Sequence, residues 1–500
     1  MKSAEQPLSI EPNALSHVRD VLRHADYSTG GLSELVGAPA GQAVLDTLDP
    51  MHFLLRRGDD GPLDTLARVF LTDADVALET FRRAVEPSSL AAWVELGLIE
   101  VRDERVLGVV SLTTSDELVI ASDRLRRVFC NDYVMATGTS TRTLDQLTVR
   151  RPSARSLDLG TGSGILALHA ARHSEQVVAI DKNPRATNMA TFNAALNGLD
   201  HVTVLEGDLF GPVEGQEFDL VVSNPPFIIS PERGRLYRDG GLPGDALAES
   251  IVRNAPRFLR EGGFAQIVCD WSALRGKSWQ RRLRTWLEGN GCDVWVLHLA
   301  GLEAAKYASF QVRGVARPEE SPRELTARYD TWLASYEREG IEAIHHGVIT
   351  LRRRSGHPNW VRIDDAPEMS GPCGDDVLNS FAARDFLEAS GDQALLAARL
   401  RVAPALLCEE ITAPGHPQGP RTSCSLRLGA GLSYSAPVPR DMLSFVESLD
   451  GSRPLIEALT EHARETGDRL DVVVRVLLPK MRELLGRGLV VLGGIASRRL

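Results

Sequence analysis

The sequence lacks the cysteine pattern of a disulfide framework or a structural zinc site. Its 500 residues include six cysteines, and none of them forms a Cys-x-x-Cys pair. Small disulfide-bonded domains and zinc ribbons both depend on closely spaced cysteines. The pattern therefore argues against both classes, and we expect a reducing compartment, the cytoplasm, and no metal site.

Long apolar runs are also missing. A transmembrane helix needs about 20 consecutive apolar residues, and no run in the sequence approaches that length. The residues after Met1 contain no apolar segment of the kind that a secretory signal peptide carries. We therefore expect neither a membrane span nor a secretory leader.

An excess of positive charge is absent as well. The chain has 67 acidic and 56 basic residues, which gives a formal net charge of -11. Proteins that bind polyanions without specificity are usually basic. The charge thus argues against that class, although it does not exclude a local basic patch.

The length predicts more than one domain, because a single hydrophobic core stops growing well below 500 residues. Residues 1–125 show helical spacing followed by a hairpin pattern, which suggests a winged-helix-like α+β accessory domain. Residues 126–354 alternate strands and helices, as in an α/β fold with a parallel sheet, and carry an insertion at about 301–340. Residues 355–376 are predicted to be a linker, and 377–500 an α+β domain for which a winged helix is again one interpretation.

The strongest local pattern is a glycine loop between an apolar strand and an apolar helix. Gly160, Gly162 and Gly164 occupy every second position around Thr161. Glycines permit a tight turn and let a ligand approach the backbone at a helix N-terminus. The spacing is GxGxG and differs from the GxGxxG of dinucleotide folds, because the sixth position is Ile165. An ordinary strand-to-helix turn remains an alternative for this loop taken alone.

Acidic residues lie in or after three successive predicted strands. Asp158 precedes the glycines, and we expect it to hold the ammonium group of a methionine moiety. Asp181 ends the second strand, where a carboxylate accepts hydrogen bonds from ribose hydroxyls. Asp208 ends the third strand and is placed to accept from the adenine amine, with Leu209 against the ring. Each acid alone could be a helix cap, but three in sequence favour a nucleoside site.

The fourth predicted strand ends in Asn224, Pro225, Pro226 and Phe227. With this tetrapeptide in place, the stretch Leu157–Ile229 resembles class I S-adenosylmethionine-dependent methyltransferases that carry an [N/D]-P-P-[Y/F] motif. That group includes N6-adenine DNA methyltransferases, exocyclic-guanine rRNA methyltransferases and release-factor glutamine methyltransferases. The resemblance implies a Rossmann-like core with a mostly parallel seven-stranded sheet, flanked here by the two accessory domains.

The resemblance also implies S-adenosyl-L-methionine as cofactor and a planar nitrogen as methyl acceptor. The Asn224 side chain and the Pro225 carbonyl can accept the hydrogens of such a nitrogen, and Phe227 can stack on its plane. We also expect Asn224 to contact the cofactor. Pro225 and Pro226 stiffen the loop and offer no competing N–H.

The identity of the acceptor stays open at this point. Arg233, Tyr237 and Arg238 lie in the loop after the tetrapeptide and are candidate substrate contacts. An exocyclic base amine of RNA or DNA, a protein glutamine amide and a small metabolite are all compatible, and the flanking domains favour a macromolecule. A DNA-binding regulator that uses a methyltransferase-like domain as ligand sensor is the alternative from another functional class. The sequence does not indicate an oligomeric state.

Overall fold

The computed structural model describes most of the chain. The described residues are 7–37, 61–72, 74–232, 234–389, 391–413 and 421–493. They form two compact units. The first comprises the described parts of Met1–Leu144 and Arg151–Asp364, and the second those of Asp145–Arg150 and Asp365–Leu500. None of the described helices is both long enough and apolar enough to cross a membrane.

The N-terminal part of the first unit contains short helices and two small antiparallel sheets. Its elements are α1 Pro12–His24, α2 Thr29–Val36, α3 Pro62–Leu71, β1 Val76–Ala77, α4 Leu78–Ala84, α5 Leu90–Glu95, β2 Ile99–Arg102, β3 Arg105–Gly108, β4 Val110–Ser115 and β5 Leu118–Asp123. One sheet has the order β1-β3-β2, and β4 pairs with β5 as a hairpin. Helix α1 begins where the Glu11 carboxylate accepts from the next backbone N–H groups, and it buries Leu15, Val18 and Leu22 at helical spacing.

The rest of the first unit alternates strands and helices. Its elements are α6 Thr139–Leu147 (which continues into the second unit), β6 Ser153–Leu159, α7 Ile165–Ala170, β7 Ser174–Asp181, α8 Pro184–Leu196, β8 Val202–Glu206, β9 Phe218–Ser223, α9 Ala246–Asn254, β10 Leu259–Leu274, α10 Trp279–Leu287, β11 Cys292–Glu303, α11 Ala304–Gly314, α12 Pro322–Glu339, β12 Ile341–Arg353 and β13 Val361–Asp365. The strands are rich in buried aliphatic residues, as strands covered on both faces require.

These strands form one sheet of order β13-β11-β12-β10-β9-β6-β7-β8. The five strands from β10 to β8 are parallel to one another, whereas β12 runs antiparallel to both β10 and β11. The predicted α/β class with a mostly parallel, Rossmann-like sheet is confirmed. Because β6, β7, β8 and β9 are parallel, the segments that follow them meet at one edge of the sheet, where such folds bind ligands.

The sheet has one strand more than the seven that the sequence predicted. The additional strand, β13, lies inside the segment 355–376 that the sequence analysis assigned to a linker. Its side chains Val361 and Ile363 pack partly buried against the core of the sheet. The residues around β13 are rich in proline, glycine and acidic side chains, which is typical of a linker. The short alternation of apolar and polar residues within this segment was therefore not recognised as a strand.

The N-terminal part is joined to the methyltransferase-like core by asparagine side chains. Asn193 of α8 is fully buried and donates from Nδ2 to the carbonyl oxygens of Ala121 (2.9 Å) and Ser163 (2.7 Å), while its Oδ1 accepts from the Ala121 N–H (2.8 Å). Asn197 makes the same pair of bonds with the backbone of Val119. Hairpin strand β5 is therefore fixed to the helix that follows β7.

The second unit is an α+β arrangement around its own apolar core. Its elements after β13 are β14 Met369–Ser370, α13 Gly374–Ala389, α14 Asp392–Ala397, β15 Arg399–Val402, β16 Leu406–Ala413, β17 Arg421–Leu428, β18 Gly431–Leu432, β19 Ser435–Val438, α15 Leu443–Glu447, β20 Asp450–Pro454, α16 Leu455–Thr466, α17 Leu470–Gly486 and β21 Val490–Leu492. The sheets have the orders β20-β15-β21, β16-β17-β19 and β14-β18. The winged-helix interpretation of this unit and of the N-terminal part stays a prediction.

Candidate active site

The three glycines of the loop after β6 all adopt left-handed backbone conformations. Their φ angles are 76° at Gly160, 56° at Gly162 and 89° at Gly164, a region that side chains other than glycine rarely occupy. Gly164 also lies against α8, because a Cβ atom there would be 3.1 Å from that of Ala190. The loop is fixed to the neighbouring strand, since the Gly160 N–H donates to the Ile180 carbonyl oxygen (2.9 Å).

The Asp158 side chain anchors the glycine loop through two hydrogen bonds. Its carboxylate is completely buried, and Oδ2 accepts from the Thr161 hydroxyl (2.6 Å) and from the Ala167 backbone N–H (3.0 Å). Burial raises the pKa of Asp158 to about 7, against the opposing effect of these two hydrogen bonds. Asp158 is not among the residues that line the cleft above the loop. Its predicted contact with a methionine ammonium group therefore stays a prediction.

Asp181, at the end of β7, does line the cleft. Its Oδ2 accepts from the Gly162 N–H and its Oδ1 from the Asn183 N–H, both at 2.9 Å. Burial raises the pKa of Asp181, and the backbone hydrogen bonds oppose that shift. Each carboxylate oxygen retains a second lone pair. The side chain is thus held rigidly and can still accept from two vicinal hydroxyls.

Asp208 and Leu209 follow β8 and also line the cleft. Leu209 has a φ of 49°, a strained conformation for a residue with a side chain. The preceding Gly207 cannot carry a Cβ atom, because that atom would lie 2.3 Å from the Pro212 ring. Its N–H donates to the Asp181 carbonyl oxygen (3.0 Å). The turn after β8 is therefore fixed to the end of β7, with both predicted side chains on the cleft.

A segment before the sheet covers the same cleft. Residues from Tyr133 to Thr137, together with Thr141, contribute to its lining. The segment is anchored by Asp123, whose Oδ2 accepts from the Val134 N–H (2.9 Å) and whose carboxylate also forms a bidentate pair with Arg185. No local sequence pattern marks this ion pair, because its partners are 62 residues apart.

Asn224 has one end of its side-chain amide fixed. Its Nδ2 donates to the hydroxyl oxygens of Thr141 (2.8 Å) and Ser140 (3.3 Å) on α6. With Nδ2 engaged in this way, Oδ1 is left as the acceptor of this side chain. Asn224, Pro225 and Pro226 all line the cleft. The end of β9 is secured to β6 by the Ser223 hydroxyl, which donates to the Leu159 carbonyl oxygen (2.8 Å).

Phe227 lies outside the cleft lining. Its ring centre is 5.4 Å from that of His346, at an angle of 45°, and the side chain packs partly buried against the core of the sheet. The structure therefore brings together the first three residues of the tetrapeptide at the cleft and directs the fourth towards β12. Stacking of Phe227 on an acceptor stays a prediction.

The three candidate substrate contacts in the following loop have different surroundings. Arg233 lies outside the described residues. Tyr237 lines the cleft, with its ring edge-to-face against that of Tyr133 at 5.1 Å. Arg238 is only 4% exposed, its Nη2 donates to the Gln311 side-chain oxygen (3.1 Å), and it does not line the cleft. Of the two candidates that the structure describes, Tyr237 lies beside the predicted cofactor and acceptor residues and Arg238 does not.

The space of the cleft, counted together with the solvent at its open mouth, is about 1050 Å³. Gly160, Asp181, Asp208 and Asn224, which follow or end four different strands, all contribute to its lining. Residues at the ends of four strands therefore meet in one cleft.

Comparison with known proteins agrees with this geometry. Residues 124–276 match the family model for a methyltransferase small domain, and residues 24–109 match a Domain of unknown function (DUF7059). A release factor glutamine methyltransferase from Deinococcus radiodurans is 30% identical over 261 residues, which cover 48% of this chain and 83% of that relative. The chain belongs to the class I S-adenosylmethionine-dependent methyltransferases of the NPP[Y/F] type.

Other relatives of this methyltransferase match over shorter stretches. A release factor glutamine methyltransferase from Xylella fastidiosa is 38% identical over 141 residues, or 26% of this chain and 50% of the relative. A ribosomal protein uL3 glutamine methyltransferase from Bradyrhizobium diazoefficiens is 37% identical over 129 residues, or 23% of this chain and 40% of the relative. The chain thus spans about half the length or less of these two relatives.

The residues that line the cleft are compatible with S-adenosylmethionine, the cofactor of the family. The glycine loop leaves open space for a ligand where a Cβ atom at Gly162 would meet nothing within 4 Å. That Asp181 accepts from ribose hydroxyls, and that Asp208 and Leu209 hold the adenine ring, stay predictions. These three residues and Asn224 line the same cleft.

Proposed function

We propose that this chain transfers a methyl group from S-adenosylmethionine to a planar nitrogen, and that the nitrogen is the side-chain amide of a protein glutamine. The observation that carries the proposal is the fixed amide of Asn224. Because Thr141 and Ser140 engage Nδ2, the Oδ1 atom is the part of the side chain that can accept a hydrogen from an incoming NH₂ group.

The chemistry follows from the weakness of an amide as nucleophile. Its nitrogen lone pair is delocalised into the carbonyl, so the site must orient the nitrogen. We infer that Asn224 Oδ1 and the Pro225 carbonyl oxygen each accept one of its hydrogens, which aims the lone pair away from them. The cofactor supplies an electrophilic methyl group on a sulfonium centre. Most of the acceleration then comes from the positioning of the two reactants and from dipoles oriented towards the charge that develops on the nitrogen. The proton leaves after the methyl group has been transferred.

The similar proteins support a protein acceptor over a nucleic acid. The names of the relatives, release factor and ribosomal protein uL3 glutamine methyltransferases, point to the same chemical class of acceptor.

Methylation assays with purified proteins test the proposal. We expect labelled S-adenosylmethionine to transfer its methyl group to the release factor or to ribosomal protein uL3 from the organism that encodes this chain. Asn224→Ala should lower kcat by about a hundredfold or more, as loss of a transition-state hydrogen-bond partner does. Calorimetry should find its affinity for S-adenosylmethionine nearly unchanged.

Two hydroxyl variants test the orientation of Asn224 separately. Thr141→Val removes the closer partner of Nδ2, at 2.8 Å, and should lower kcat clearly, whereas Ser140→Ala removes the one at 3.3 Å and should have a smaller effect. Asn254→Ala, on α9, is the matched control for Asn224→Ala, because within the described residues the Asn254 side chain donates to the Ser250 carbonyl oxygen of its own helix. Full turnover by Asn224→Ala would remove this residue from the mechanism.

A further inference from the structure

Two tyrosines from the helical segment between β11 and β12 hold the loop that follows the tetrapeptide. The Tyr336 hydroxyl donates to the Ile229 carbonyl oxygen (2.6 Å), and the Ile229 N–H donates to the Tyr307 hydroxyl oxygen (3.3 Å). Tyr307 belongs to α11 and Tyr336 to α12. Ile229 is two residues beyond Phe227 and is 2% exposed. Both backbone polar groups of a buried loop residue are thus satisfied by the inserted helices.

Asp270 of β10 connects Tyr307 to Phe227 through His346. Its Oδ2 accepts from the Tyr307 hydroxyl (2.6 Å), and its Oδ1 is 2.7 Å from Nδ1 of His346. Asp270 is 3% exposed, so the two donors stabilise a carboxylate that is almost removed from water. The His346 ring in turn contacts the ring of Phe227. The chain of contacts runs from α11 to the last residue of the tetrapeptide.

Further along, the loop meets the inserted helices at two more points. The Glu232 carboxylate accepts from the indole N–H of Trp332 (2.9 Å) and pairs with Arg328. Arg238 donates to Gln311 and lies over the Trp332 ring at 5.5 Å. Contacts at residues 229, 232 and 238 therefore connect the loop to α11 and α12 at three points.

We propose that the inserted helices α11 and α12 set the position of the methyl acceptor, and that Tyr307, Asp270 and His346 are the positioning residues that transmit it to the tetrapeptide. This inference rests on the proposed function, since it assigns the loop 228–240 as one wall of the glutamine-amide site. None of the three residues lines the cofactor cleft, so each acts through Ile229 or Phe227 rather than on the reacting atoms.

Hydrogen exchange tests the inference without reference to any acceptor. Tyr307→Phe and Tyr336→Phe each remove one hydroxyl and keep the ring. A hydrogen bond of this kind contributes modestly to local stability, so backbone exchange in peptides covering 227–240 should become about threefold to tenfold faster. Exchange in the glycine loop should not change. The matched control is Tyr329→Phe, because within the described chain the Tyr329 hydroxyl, also on α12, has no hydrogen-bond partner.

Kinetics then separate positioning from general stability. His346→Phe keeps a ring beside Phe227 but loses the bond to Asp270, and His346→Ala loses both. For glutamine-peptide acceptors derived from the release factor, KM should rise and kcat fall in the order wild type, Phe, Ala, while the Kd for S-adenosylmethionine stays within about twofold. If His346→Phe already has a higher KM and a lower kcat than the wild type, the hydrogen bond between His346 and Asp270 contributes to turnover.

The outcomes are distinguishable. Equal exchange in Tyr307→Phe, Tyr336→Phe and Tyr329→Phe would overturn the inference, whatever the acceptor proves to be. So would a loss of cofactor affinity that parallels the loss of turnover, since that indicates a structural defect of the whole core. If the loop loosens as expected but wild-type protein methylates no glutamine amide, the inserted helices do position the loop and the proposed function fails instead.

Discussion

At the scale of single residues, folding changes the pKa of the Asp158 carboxyl group. Its pKa is raised by burial to about 7, so the folded state binds this proton more tightly than the unfolded state does. Its contribution therefore favours folding at low pH and is lost as the pH rises from about 4 to about 7. Because Oδ2 alone accepts both hydrogen bonds described for this side chain, an asparagine can keep them.

Asp158→Asn should accordingly fold, and should gain stability relative to wild type as the pH rises from 5 to 8. The reason is that the variant has no carboxyl to deprotonate in the buried site. Urea unfolding at the two pH values measures the difference. Wild-type and variant curves that shift in parallel with pH would show that Asp158 does not titrate in this range.

Asp181 carries the second prediction at this scale. Asp181→Asn keeps the size of the side chain, removes the charge that would strengthen hydrogen bonds from ribose hydroxyls, and replaces one of the two oxygens that accept from the backbone by an NH₂ group. We expect the affinity for S-adenosylmethionine to fall about tenfold to a hundredfold, as for loss of a charged acceptor. Calorimetry is the measurement, and Asp200→Asn, in an exposed turn after α8, is the control. An unchanged Kd would remove Asp181 from the cofactor site.

At the scale of elements, the segment that covers the cleft depends on the ion pair between Asp123 and Arg185. The Asp123 carboxylate is completely buried and the Arg185 side chain is 13% exposed. Arg185→Ala removes the bidentate partner and leaves Asp123 paired with Arg127 alone, at 3.4 Å, so the free energy of unfolding should fall by about 2 kcal/mol.

Urea unfolding measures this effect against a surface pair. Arg253→Ala breaks an exposed pair with Glu249 on α9 and should cost less than about 0.5 kcal/mol. If the two variants lose the same stability, the Asp123–Arg185 pair does not fix the cover. A weaker affinity for S-adenosylmethionine in Arg185→Ala alone would support its role at the cleft.

At this scale, the position of the cleft could be predicted from the sequence because it depends on the parallel arrangement of the strands. Segments that follow parallel strands meet at one edge, and Gly160, Asp181, Asp208 and Asn224 all follow or end such strands. Contacts between distant segments obey no such rule, which is why the Asp123–Arg185 pair and the tyrosine contacts to Ile229 were not foreseen. Phe227 illustrates the same limit, since its direction towards His346 depends on how β12 pairs with β10.

At the scale of the whole molecule, the N-terminal part and the methyltransferase core belong to one compact unit. The sequence predicted separate domains at 1–125 and 126–354, and these bounds stay predictions. The structure adds the buried bonds of Asn193 and Asn197, which fix the hairpin β4–β5 to α8. Two polar side chains of α8 therefore attach the hairpin to the core. A domain boundary drawn from sequence composition does not reveal this attachment.

The central claim is tested most directly by following the methyl group itself. The whole chain is incubated with radiolabelled S-adenosylmethionine and a lysate that is then fractionated into protein, RNA and small molecules. We expect label in protein, on a glutamine side chain by mass spectrometry, and little label when Asn224→Ala replaces the wild type. Label confined to RNA or to small molecules would contradict it.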